Sequence, residues 1–327
     1  MRQDDVPVEV TLAWSDERLE TAMRALLHRD ARPGLALLAA TRSDPHRRAL
    51  YVEVLGSVGE HALRDLRALA QEGEDPDRWL LLGAALSSAA ASARGADIIS
   101  RTSDEQIEGM LNLAGHARTA LRRAAHLAPA DPVPWSELFR CAMGAVEHDR
   151  ELDEVFAQVE RRAPDLYNAN IWRLVSLTRK WYGSQEQALT YARGRTEPLP
   201  AGHPLWALVA YAHIEGLVDL TMRGNVLSRF WRYTRYTSNK TVRAEVDAAS
   251  DRLLADAHRF ADHPATRPAH QAFATFYYQA TVPERARPHL ERGGPRPAVM
   301  PWGYFGDHAE VFAVARKEAG LPDPATG

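Results

Sequence analysis

The sequence predicts an all-α fold, and three observations carry that expectation. Ala and Leu are abundant among the 327 residues while β-branched residues are sparse, a balance that favours helix over strand. Apolar residues recur at helical spacing, as in Leu63, Leu66 and Ala70 or Leu80, Leu81 and Ala84. Such stripes must be buried against a neighbour. Trp135, Trp172 and Trp206 lie 37 and 34 residues apart, with Pro129, Pro164 and Pro198 before them at steps of 35 and 34, close to the period of a two-helix repeat.

Taken in chain order, the elements follow from their punctuation. Ser43-Asp44-Pro45, Glu74-Asp75-Pro76 and Ala130-Asp131-Pro132 each place a capping acid beside a proline suited to the first turn of a helix. The best single repeat starts with Trp79, Leu82 and Gly83 and ends with Ala117, Leu121, Ala124 and Pro129. Its small residues let two helices approach closely, and Pro129 stops the second. Leu86 and Ala117 stand 31 residues apart where a standard repeat needs roughly nine. An insertion centred on residues 92–106 is expected, either in the turn or as lengthened helices. Trp135 with Leu138, Trp172 with Ala188 and Pro200, and Trp206 open three looser pairs.

Past Leu220 the repeat fades, as it does at array ends. Residues 242–260, 269–278 and 307–319 still read as helices. Between the last two lies Gly293 to Gly306, where three prolines forbid helix while Met300, Trp302, Tyr304 and Phe305 are too apolar to remain in water. The strip should dock, sealing the last helix pair in preference to lying in a groove as a built-in ligand.

These residues resemble the tetratricopeptide (TPR) pattern over about 45–220. Lys180-Trp181-Tyr182-Gly183-Ser184-Gln185-Glu186 with Tyr191-Ala192-Arg193, and Pro204-Leu205-Trp206 with Ala212-His213-Ile214-Glu215, are similar to a bacterial helical-repeat family without assigned activity. The first resemblance implies a right-handed α-solenoid of antiparallel helix pairs with a concave groove for a peptide or protein. The second implies no activity. The expected organisation is one domain, 1–327, with TPR-like pairs over 15–220 and an irregular helical cap over 221–327. The Lys and Asn positions of the TPR clamp for C-terminal carboxylates do not fall on successive first helices here, so that ligand is not implied.

Charge narrows the function classes. The net charge is −3, with 40 basic and 43 acidic residues, so no global field draws the chain onto nucleic acid or an anionic membrane. No apolar run is long enough to span a bilayer, and the start lacks the basic and apolar regions of a leader, so a cytoplasmic protein is expected. Cys141 is the sole cysteine and sits on an apolar helix face, which reads as a buried structural thiol. His213 with Glu215 and Asp219, His258 with Asp262 and His263, and His308 with Asp307 and Glu310 lack the two-His helical spacing of a zinc site. No metal or cofactor is expected. Phosphate loop, nucleophile elbow and dinucleotide fingerprint are absent, so the reading is non-enzymatic.

One segment departs from architecture. Thr221 to Arg243 carries Arg223, Arg229, Arg232, Arg235, Lys240 and Arg243 without an acid, interleaved with Phe230, Trp231, Tyr233 and Tyr236. On a helix Asn225, Arg229, Arg232 and Tyr236 share one face, while Val226, Phe230 and Tyr233 share another that could be core. The bland alternative is a capping helix with solvated charges and buried aromatics. The functional reading is a protein- or peptide-binding scaffold in which Asn225, Arg229, Arg232 and Arg235 select an anionic segment and Trp231 or Tyr236 anchors it. The runner-up is a small-molecule or enzyme pocket between the array and the strip, built from His213, Glu215, Arg229 and Tyr304. Nucleic-acid binding through the basic segment ranks third.

Overall fold

The computed structural model describes residues 16–94, 104–143, 149–222 and 225–322. Among them every regular element is helical and no strand occurs. Two compact units divide the chain at Ala169 and Asn170, well before the change of sequence character near 220.

The first unit is built from α1 (Glu17–Leu27), α2 (Arg32–Ala40), α3 (Pro45–Gly59), α4 (Leu63–Gln71), α5 (Pro76–Arg94), α6 (Asp104–Leu127), α7 (Val133–Met143) and α8 (Asp149–Arg162). The Asp-Pro signals start α3, α5 and α7. Asp44 Oδ1 accepts from Arg47 N at 3.0 Å, Asp75 Oδ1 from Asp77 N at 3.0 Å and Asp131 Oδ1 from Val133 N at 2.9 Å, each such cap being worth about 1 kcal/mol. Successive helices pack on one another: α1 on α2, α3 and α4 on α5, α5 on α6, α6 on α7 and α7 on α8.

The expected close approach occurs between α5 and α6. A Cβ at Gly83 would stand 2.6 Å from Leu121 Cγ, so any larger residue forces the two helices apart. The insertion lengthens these helices, which run to Arg94 and start again at Asp104; its residues 95–103 lie outside the described ones. Leu55, Leu80, Leu121 and Phe139 are fully buried, and the Phe139 and Phe156 rings meet at 5.5 Å. Cys141 is buried here, its thiol pushed up by burial.

A polar network crosses this apolar interior. Arg48 is 1% exposed and donates from Nη2 to Asp77 Oδ1 (2.5 Å), from Nε to Asp131 Oδ2 (2.7 Å) and from Nη1 to the Leu38 carbonyl (2.5 Å). Asp131, the acid that caps α7, therefore also neutralises a buried guanidinium, together with Asp77 in the first turn of α5.

α9 (Tyr167–Ser176) spans the boundary, and the second unit continues with α10 (Gln185–Thr196), α11 (Ala207–Thr221), α12 (Val226–Thr237), α13 (Lys240–Ala255), α14 (Thr266–Gln279), α15 (Pro283–Arg292) and α16 (His308–Glu318). Its centre is α11, buried at every residue from Ala207 to Val218 and packed against α10, α12, α13 and α14. Such all-round burial explains why α11 carries apolar residues on every face, with His213 and Glu215 as buried polar exceptions.

The 293–306 strip docks through one residue that the sequence reading passes over. Gln271 on α14 is fully buried. Its Nε2 donates to the carbonyls of Gly293 (3.0 Å) and Arg296 (2.7 Å), and its Oε1 accepts from Ala298 N (2.7 Å) and Trp302 Nε1 (3.0 Å). The amide's two donors and two acceptor positions are all used. Trp302 is buried against Phe312 of α16 and Tyr278 of α14, as a sealing role requires. Docking is less complete than expected at Met300, which stays 37% exposed.

Candidate functional site

The basic-aromatic segment forms α12, and α12 is barely covered by the unit that carries it. Asn225 is its N-cap, accepting from Ser228 N at 2.9 Å. It therefore starts the helix, and it stays exposed at the position expected to select a ligand. Thr237 is the helix's one buried residue. Arg223 lies outside the described residues.

The expected division of faces is altered. Tyr233 turns inward and its hydroxyl donates to Gln279 Oε1 at 2.5 Å. Val226 and Phe230, which the sequence places on the same face, stay outside with Leu227 and Trp231, at 81, 62, 67 and 64% exposure. The alternative in which the segment's aromatics are core holds for Tyr233 and Tyr236, which turn inward, and not for Phe230 and Trp231. Phe230 and Trp231 lie three and four residues beyond Leu227, so the three form one outward strip, and the two rings meet edge to face at 6.3 Å. Arg229, Arg232 and Arg235 are exposed on the same helix. Arg243, the last cation of the basic segment, is committed to backbone, its Nε to Thr237 O at 2.6 Å and Nη2 to Ala280 O at 2.7 Å.

The root of α12 is a second cluster. Tyr236, read from sequence as a possible anchor for a partner, points into the protein and meets His213 Nδ1 at 2.8 Å. With the ring proton on Nε2 facing Glu245 Oε2 at 3.3 Å, Nδ1 accepts the phenol's proton. Gln185 Nε2 also donates to the Tyr236 oxygen at 3.3 Å and to Ala212 O at 2.9 Å. Arg193 grips Glu245 with two bonds of 2.6 and 2.9 Å. That grip, followed by the hydrogen bond from His213, holds the Glu245 carboxyl down to about 2. Burial, then the Glu245 charge, raises the Tyr236 phenol above its ordinary value.

Beside this root opens a pocket of about 160 Å³. Two sequence segments singled out by resemblance build it. The first, 180–186, falls largely in a turn, 178–185, in which Ser184 N returns to Leu177 O at 3.0 Å. Tyr182, 88% exposed, adopts a left-handed φ of 70° there, a conformation uncommon for a bulky residue. A Cβ on the following Gly183 would meet Leu177 O at 2.1 Å. The second, 212–215, lies on α11, which presents Glu215, Val218 and Asp219 to the cavity, with Met222 just past its end.

Lys180 Nζ bonds both Glu215 oxygens, at 3.0 and 2.8 Å, and the Tyr304 hydroxyl at 3.0 Å. Tyr304 donates to Glu215 Oε1 at 2.5 Å, and burial followed by the Glu215 charge pushes its phenol well up. The runner-up constellation is therefore half assembled. Glu215 and Tyr304 meet, but His213 turns to Tyr236 and Glu245, and Arg229 belongs to the exposed helix. Lys180, absent from the sequence-level site, is the residue that joins them. Its signal was the conspicuous 180–186 segment.

Among the described residues no group of three or more His, Cys, Asp or Glu is arranged to hold a metal ion, and no helix is long and apolar enough to cross a membrane. The class defined by these features is an all-α protein whose second unit carries an exposed Arg-aromatic helix next to a polar pocket. No protein-family model, curated protein or solved structure matches the chain.

Proposed function

We propose that the chain is a TPR-like scaffold that binds an acidic amphipathic segment of another protein on the outer face of α12. The TPR-like reading is supported by the successive packing of α5 to α8 and by the Gly83 contact with Leu121. The observation that carries the function is the exposure of Val226, Leu227, Phe230 and Trp231 together. Each large apolar side chain left in water forgoes about 1.5–3 kcal/mol of burial energy, and a contiguous patch of this kind marks an interaction surface.

Charge decides the partner. The 221–243 segment has six basic residues and no acidic one, while the chain as a whole is −3, so the remainder is net acidic. An anionic lipid surface would attract α12 but repel that remainder. An acidic helix is small enough to meet only α12, its apolar side chains covering Phe230 and Trp231 and its carboxylates reaching the arginine forks.

A peptide panel tests the reading. A labelled amphipathic peptide alternating Leu and Glu turns should bind in the micromolar range, and the same peptide with Lys for Glu should bind at least about tenfold more weakly. Equal binding of the two, preferential binding to anionic vesicles, or concentration-dependent self-association that hides α12 would each replace the proposed partner.

A further inference from the structure

Resting on the α12 reading, we infer that the partner segment docks in one direction only: a helix antiparallel to α12, with its acidic residues in its first turns and its apolar residues after them. The outward face of α12 changes chemistry along its axis. Its exposed positions run Leu227, Phe230, Trp231, Thr234, Arg235 and Ser238 at helical spacing. The large apolar ones, with Val226 beside them, are confined to the first two turns, and none follows Trp231 within the helix.

The cationic end lies beyond them. Arg235 and Lys240 are exposed and make no ion pair among the described residues. Arg232 Nε, by contrast, donates to the Ser228 carbonyl at 3.2 Å, and Arg243 is held by two carbonyls. α13 starts at Lys240 without an acid in its first turn, so the positive end of that helix adds to the potential set by the two side chains. A partner's carboxylates are therefore drawn to the junction of α12 and α13, about 12 Å or more along the axis from Leu227.

Two arrangements match both ends of this face. A parallel helix carries its acids in its last turns, where its own dipole opposes them; an antiparallel helix carries them in its first turns, where the dipole favours them. The antiparallel helix also sets its positive end against the negative end of α12. Both effects select the same direction. The partner is thus a segment of about four turns in which two or three Asp or Glu precede a pair of large apolar residues three or four positions apart.

Two peptides of identical composition test the direction on the full chain, one with Glu in its first turns and Leu in its last, the other with the order reversed. Each carries a benzophenone photocrosslinker at its acidic end. The acids-first peptide should bind at least about threefold more tightly and crosslink within 234–241. That advantage should vanish in Arg235→Gln/Lys240→Gln with helicity kept by circular dichroism; should the variant lose helicity, the wild-type crosslinks decide. Equal or reversed affinities, or crosslinks from the acidic end of the acids-first peptide to 225–231, overturn the direction while leaving α12 as the docking site. An advantage that persists in the folded double variant overturns it too, because it then comes from the peptide's own helicity. Binding of neither peptide at millimolar concentration removes the α12 reading itself, and the direction with it.

Discussion

The Tyr236 hydroxyl lies 2.8 Å from His213 Nδ1, and this contact ties the exposed helix α12 to the buried helix α11. Tyr236→Phe keeps the ring but leaves the His213 acceptor and one Gln185 donor unpaired, at a cost of about 1–3 kcal/mol. Amide exchange should accelerate over 226–237 beyond any change elsewhere in the chain. Uniform acceleration would mean that Tyr236 supports the whole unit and not α12 in particular.

Arg48 makes the matching prediction for the first unit. Arg48→Met removes the cation and leaves Asp131 without the partner it has at 2.7 Å and Asp77 with only Arg42. Denaturant unfolding should show a loss of about 3–5 kcal/mol. A loss below about 1 kcal/mol would show that the network adds specificity without net stability.

The second unit should be acid-sensitive through two histidines. His270 and His289 are fully buried, their Nδ1 atoms 2.9 Å apart, with His289 Nε2 at 2.8 Å from Ser250 Oγ. Burial, reinforced by the nearby Arg292, lowers His270 to about 3; burial, then His270, Arg285 and Arg292, holds His289 well below the usual 6.5. A base whose folded value is depressed binds more protons when unfolded. Its contribution is therefore complete above about pH 6.5 and is lost as pH falls from there toward 3, by up to about 1.4 kcal/mol per pH unit for each histidine. The comparison is between the wild type and His270→Leu/His289→Leu, whose stability should vary less between pH 6.5 and 5. An unchanged slope would assign acid sensitivity elsewhere.

How far the sequence reveals this molecule depends on the range of each interaction. Asp44, Asp75 and Asp131 cap helices through neighbours two or three residues away, so their signals are legible locally. Gly83 is legible because close helix approach has a fixed spacing. Gln271 is not, since its four partners lie 22 to 31 residues downstream in an irregular strip. The site shows the same contrast. The charge pattern of 221–243 can be read directly, but which aromatics turn inward depends on what α11, α13 and α14 leave uncovered. Periodicity assigned Phe230 with Tyr233 to one face, and tertiary placement separated them. Lys180 and Glu215, 35 residues apart, become a pair only through the meeting of the turn with α11.

The outward face of α12 carries the proposed function, and the most direct measurement is the affinity of the acidic amphipathic peptide for the wild type and for Phe230→Ala/Trp231→Ala. Both rings are more than 60% exposed, so the double variant should unfold within about 0.5 kcal/mol of the wild type. It should bind the peptide at least about tenfold more weakly, as loss of two aromatic anchors entails. Unchanged affinity in a variant of unchanged stability would contradict the claim that this helix is where the partner docks.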